Sequence, residues 1–165
     1  TTFAQAHGIK HVRIAGSGIG TDSVALHERK DPLFLSALNL SVVRALSRAN
    51  IQLKDIDFYE LHDAFTIMSA LSLERAGFAE RGRGVAWAVE NKIGLDGELP
   101  ICTMGGLKAR GHPVGASGVY QIVEAVQQLR GDAGENQLTD CEFGLTSSIG
   151  GSGATVVSHV LQRQN

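Results

Sequence analysis

The sequence predicts an α/β domain, a mixed β-sheet with helices on both faces in the order β-α-β-α-β-α-β-β. Three observations predict it. Short apolar runs of strand period alternate with longer segments of helical period along the chain. Two of the strand-like runs end directly in turn chemistry, at His62-Asp63 and at Gly105-Gly106. The last two runs are separated only by Ile149-Gly150-Gly151-Ser152-Gly153, a connection short enough for an antiparallel hairpin. With 165 residues, 43% of them hydrophobic, the chain can bury the core of one domain spanning residues 1–165.

Taken in order, Phe3 to His7 is helix-like and runs at once into a strand, so the start, which opens on Thr1, reads as a cut or a split. The first strand is His11 to Gly16, ending in a glycine loop from Gly16 to Gly20. This loop is not the dinucleotide fingerprint, because Thr21 stands where the third glycine belongs. Asp31 caps the next helix and Pro32 occupies its first turn. Leu33, Ala37, Leu40, Val43 and Leu46 give that helix an apolar face, and Asn50 stops it. The second strand, Asp55 to Leu61, leads into His62-Asp63-Ala64-Phe65 and a helix from Phe65 to Ala76 with Gly77 as its C-cap. A polar loop, Arg81 to Gly84, precedes a short helix from Val85 to Asn91. A third strand, Leu99 to Met104, enters the long glycine loop Gly105 to Gly118. A helix over Ala116 to Leu129 follows, then a polar turn, Gly131 to Asp140. The strands Cys141 to Ser148 and Ala154 to Leu161 close the chain.

Composition narrows the function classes. A net charge of -2 without a basic stripe argues against a nucleic-acid partner. Arg75, Arg81, Arg83 and Lys92 read as a solvated face, with a phosphorylated small molecule as the other reading. Cys102 and Cys141 fit neither a disulfide framework nor metal-ligand spacing and read as buried thiols of a reducing, cytoplasmic protein. His7 and His11 are four apart but lack a third ligand, so no metal site is expected. No apolar run approaches the roughly 20 residues that a membrane-spanning helix needs.

The chemistry concentrates in the loops. A histidine and an aspartate at a strand's C-terminal end occupy the usual place for a site in an open α/β sheet. Pro113 biases His112 towards extended backbone, and the helix after the loop offers an N-terminus favourable to developing negative charge. Imidazoles move protons near neutral pH or donate to an oxyanion, and glycine N–H groups serve the second purpose without side chains. His62, His112 and the Ser/Gly-rich terminal turn therefore form a complementary set. A nucleophile is missing from it: neither cysteine adjoins a histidine, and Val119 stands where a nucleophile elbow around Ser117 would need its last glycine.

The motif Gly-Gly-Leu-Lys-Ala-Arg-Gly-His-Pro-Val-Gly-Ala-Ser-Gly at 105–118, with His-Asp-Ala-Phe at 62–65 and Ile-Gly-Gly-Ser-Gly-Ala at 149–154, resembles the C-terminal half of the thiolase superfamily. It is most similar to the sterol carrier protein thiolase-like and archaeal acetoacetyl-CoA thiolase groups, and the similarity extends from about His11 to Leu161. The resemblance implies a five-layered α/β fold of two similar halves, this chain being the second and residues 1–10 the junction to the first. It implies that His112 activates a nucleophilic cysteine and contributes to an oxyanion hole. His62 would fix a catalytic water or substrate oxygen, and Gly150 would lend its amide to a second oxyanion hole. Gly106, Gly111, Phe65 and Ser117 would contact the substrate, a coenzyme A thioester, with no covalently bound cofactor.

The nucleophilic cysteine of that family lies in the N-terminal half, which a partner chain or the remainder of this one must supply. The second, acid/base cysteine has its places at positions held here by Ala64 and Ser148. The expected activity is thus acyl transfer on acyl-CoA by thiolysis or Claisen condensation. A retro-aldol lyase acting on a CoA thioester and a non-catalytic structural subunit are the alternatives. The resemblance also implies a homo- or hetero-oligomer and a small OB-fold partner that carries acyl-CoA.

Overall fold

The structure, a computed structural model, describes residues 10–164. Its sheet is built from β1 (His11–Thr21), β2 (Phe58–Glu60), β3 (Phe143–Gly150) and β4 (Thr155–Gln164), in the spatial order β1-β4-β3-β2. β4 runs antiparallel to both its neighbours, whereas β2 and β3 are parallel. The predicted terminal hairpin is therefore present, and the crossover from β2 to β3 makes the sheet mixed. The helices are α1 (Ser36–Ala49), α2 (Thr66–Ala76), α3 (Gly84–Val89), α4 (Gly106–Arg110) and α5 (Ser117–Arg130). The helix-like reading of Phe3 to His7 lies outside the described residues.

The strand alternation feeds two cores. Tyr59, Leu145, Val156 and Val160 point to the α1 side and join Leu38, Val42 and Ala45, with Leu71 and Leu73 of α2 against them. Phe58 and Leu161, one position out of phase, point the other way and meet Ala125 and Leu129 of α5 together with Cys141. Full burial of each such side chain contributes roughly 1.5–3 kcal/mol. Through the first core runs a chain of hydroxyls: Tyr59 OH donates to Ser147 Oγ at 2.9 Å, which meets Ser158 Oγ at 2.7 Å, which meets Ser41 Oγ at 2.8 Å. Ser41 Oγ at its end donates to the Leu38 carbonyl at 2.8 Å, so four polar groups are buried without an unpaired donor.

Four local expectations change. Gly16 to Gly20 is strand, not loop: β1 continues to Thr21 because Gly16, Gly18 and Gly20 share one face and α1 lies directly upon it. A methyl group at these positions would strike the backbone carbonyls of Ala45, Ser41 and Ala37, so the glycines form a groove for a helix. Second, α1 begins at Ser36. The Asp31 carboxylate instead accepts the Leu33 N–H at 3.0 Å, holding a separate turn ahead of the helix. Third, the strand expected over Asp55 to Leu61 shortens to three residues, since Leu53–Asp55 forms a 3₁₀ turn. Fourth, the strand expected over Leu99 to Met104 reduces to a single parallel bridge from Ile101 to Tyr59. There Cys102 takes φ 48° and turns the chain off the sheet edge. The helix stops at Asn50 (φ 56°) and Gly77 (φ 102°) are left-handed as their residues predict.

The basic residues are spent within the fold. Arg81 pairs with Asp31 at 2.6 Å, Arg83 with Glu90 at 3.1 Å, and Lys92 with Glu90 and Glu98 at 3.3 and 3.4 Å. Arg75 departs from the solvated-face reading: it is buried, with its guanidinium 4.3 Å from the centre of the Phe34 ring. Among the described residues no helix is long and apolar enough to cross a membrane.

Candidate active site

Leu61 alone separates His62 from β2, and His62 is 6% exposed. His112 lies in the loop between α4 and α5. The two rings meet edge to face, centroids 5.0 Å apart at 86°. Burial, and then the neighbouring His112, push the His62 pKa down; Asp63 opposes this without reversing it. His62 is therefore a neutral imidazole at pH 7. Its Nδ1 is buried with no hydrogen-bond partner among the described residues. His112 is exposed, and its Nδ1 lies 2.7 Å from Ser117 Oγ, the first residue of α5.

Three anchors hold the His112 loop. At its start, Asp63 Oδ1 accepts the Leu107 N–H at 2.7 Å and Oδ2 that of Lys108 at 3.4 Å. The approach is so close that a side chain on Gly106 would run into the carboxylate, and Gly105 and Gly106 both take positive φ, 89° and 63°. At the end of α4, Arg110 forms an ion pair with Glu124 of α5 and lies over the Tyr120 ring. Ser117 is the third anchor. Beneath them, Gln121 Nε2 donates to the carbonyls of Glu60 and Ser147, tying α5 to the end of β2 and the interior of β3. Glu60 Oε1 accepts both the N–H and the hydroxyl of Thr103 at 2.8 Å, and burial pushes its carboxyl up to about 7.

The loops around His62, His112 and the β3–β4 turn converge on a cavity of about 790 Å³. His62, His112, Ser148 and Gly150 supply its polar edge, and Leu35, Met68, Leu71 and Ile149 much of its apolar wall. Its size and its few polar groups suit a small-molecule ligand. Of the residues singled out in the sequence, His62, His112, Phe65 and Gly150 line it. Ser117 is fully buried and reaches the site through the His112 ring. Gly106 is buried beneath Asp63, and Gly111 ends α4 at φ 95°. Ala64 and Ser148, the two places of a second thiol, both line the cavity. Cys102 does not. Its Sγ lies 3.5 Å from the Leu61 carbonyl, and burial pushes its thiol well above the ordinary range. Among the described residues no cluster of three His, Cys, Asp or Glu side chains is placed to hold a metal ion.

From residue 18 to residue 163, the chain matches the family described as thiolase C-terminal domain-like. It belongs to that family. The thiolase C-terminal-like chain is 40% identical over 152 residues to an acetyl-CoA acetyltransferase of Methanothermobacter thermautotrophicus, covering 92% of this chain and 40% of that protein. It is 32% identical over 161 residues to sterol carrier protein 2 of Rattus norvegicus, covering 94% of this chain and 29% of that one. Among solved structures, an Ltp2-ChsH2(DUF35) aldolase shares the fold with a TM-score of 0.83 at 24% identity, over 92% of this chain and 39% of that one. The thiolase-like chain thus spans 40% or less of the length of these proteins.

Proposed function

We propose that this thiolase C-terminal-like domain is the second half of an acyl-CoA acyltransferase whose nucleophilic cysteine comes from an N-terminal half, on the same or a partner chain. The observation that carries the reading is the pair of imidazoles 5.0 Å apart at the edge of an apolar cavity that also takes in Gly150. In the tautomer that donates Nδ1–H to Ser117 Oγ, His112 keeps Nε2 free to take the thiol proton. The imidazolium so formed presents an N–H to the oxyanion of the attacked thioester or ketone. His62, neutral through burial, holds a substrate oxygen or a water. Ala64 and Ser148 bring no thiol, which leaves His62 as the second imidazole lining the cavity. Gly150 contributes its amide, and Phe65 and Gly115 of the His112 loop line the cavity that would take the thioester.

The test is thiolysis of acetoacetyl-CoA by the complete enzyme, whether the full-length chain or the reconstituted pair. His112→Ala should lower kcat/KM by about 10²–10⁴-fold, and mass spectrometry should find an acyl adduct on the N-terminal half. Product formed without any adduct favours retro-aldol cleavage. Undiminished activity in the His62→Ala, His112→Ala double variant makes the domain a structural subunit. The same reading places the enzyme in the cytoplasm, as an oligomer and beside an OB-fold acyl-CoA carrier; native mass spectrometry of the purified complex checks the assembly.

A further inference from the structure

The turn that follows Gly150 is held by a residue far from it in sequence. Gly151 and Gly153 adopt φ 58° and 84°, conformations that leave a glycine-rich turn expensive to order. Arg29, in the loop after β1, reaches across to it, its side chain only 2% exposed. Its Nη1 donates to the Ser152 carbonyl at 2.9 Å, and Nη2 lies 3.4 Å from Ser152 Oγ. Nε and Nη2 both donate to the Ser23 carbonyl, at 2.8 and 2.7 Å. The Asp22 carboxylate stands off at 3.9 Å. Ser152 Oγ in turn donates to the Val24 carbonyl at 3.2 Å, the Asp22 N–H to the Ala154 carbonyl at 2.8 Å, and the Gly153 N–H closes the turn on the Gly150 carbonyl at 3.2 Å. A buried guanidinium is thus spent almost wholly on backbone carbonyls, in a fork that an ammonium cannot copy. Both segments it joins contribute to the cavity wall: Leu26 and Pro32 from the first, Gly150, Gly151 and Ser152 from the second.

We propose that Arg29 is the positioning residue of the terminal glycine turn, fixing it against the 22–32 loop so that Gly150 and its amide keep their place on the cavity wall. The amide's catalytic use rests on the acyl-transfer reading; the latch itself does not. Arg29→Lys in the complete enzyme keeps the charge and removes the fork. Hydrogen exchange of residues 149–154 should accelerate by about tenfold or more, while β4 and α5 keep their protection. The kcat for thiolysis of acetoacetyl-CoA should fall by about 10²-fold, the cost of a roughly 1 Å misplacement, with KM little changed. Arg29→Ala should regain part of its kcat with millimolar guanidinium, and not with urea. Should Arg29→Lys fail to fold, Ser152→Ala, which removes only the hydroxyl contacts, should move exchange and kcat in the same direction by less. Unchanged exchange at 149–154 overturns the proposal whatever the activity. A rise in KM alone, or a uniform loss of protection throughout the domain, overturns it too. A wild-type complex inert towards acetoacetyl-CoA defeats the acyl-transfer reading and leaves the exchange result to decide the latch.

Discussion

Ser117 sits inside the loop motif yet reaches the cavity only through another side chain. Its hydroxyl is buried and bonded to His112 Nδ1, so it fixes both the ring's angle and which nitrogen faces the cavity. Ser117→Ala should lower kcat by about tenfold or more, within the range of general acid–base contributions, and shift the pH profile of kcat/KM, with thermal stability nearly unchanged; stopped-flow thiolysis across pH checks this. The histidines were legible in the sequence because turn residues and strand ends mark such positions locally. Asp63, unlike its partner, was legible as a strand-end residue. It serves the start of α4 from 44 residues upstream of Leu107, and capping rules read neighbours along the chain, not across it. Arg29 escaped for the same reason: nothing beside it in the sequence points 123 residues ahead to Ser152.

The glycines of β1 pose the corresponding problem for a whole element. Three glycines at alternate positions resemble a loop when read by composition, and they become a strand only once a helix is laid on them. Gly18→Ala should push α1 off the sheet against the Ser41 carbonyl and cost about 1–3 kcal/mol or more. Ile19→Ala, on the half-exposed opposite face, should cost less, and urea unfolding of the two variants compares them. Long periodic elements such as α2 and α5 were read from sequence to within a residue or two, because their caps and apolar spacing agree. The strand expected at Leu99 to Met104 was not, because its apolar residues serve a turn packed under β2, and burial alone does not distinguish the two.

At the scale of the whole molecule, the buried site tunes stability to pH. Glu60 has its folded pKa raised from 4.5 to about 7, so its contribution is full below pH 4.5 and is lost as pH rises through 7. His62 acts oppositely: its folded pKa lies below 6.5, and stability is lost as pH falls through that lower value. Glu60→Gln should remove the loss between pH 4.5 and 7, worth on the order of a few kcal/mol, as seen by chemical denaturation at several pH values. The strand order has a further consequence. Among the described residues β1 has β4 as its one sheet neighbour, pairing His11 with Gln164 through to Thr21 with Thr155. Among the described residues, then, β1 finds no strand to pair with on the ribosome until β4 has emerged. A nascent chain stalled before residue 155 carries α1 and its glycine groove as an open sticky edge, the kind of surface that chaperones exist to cover.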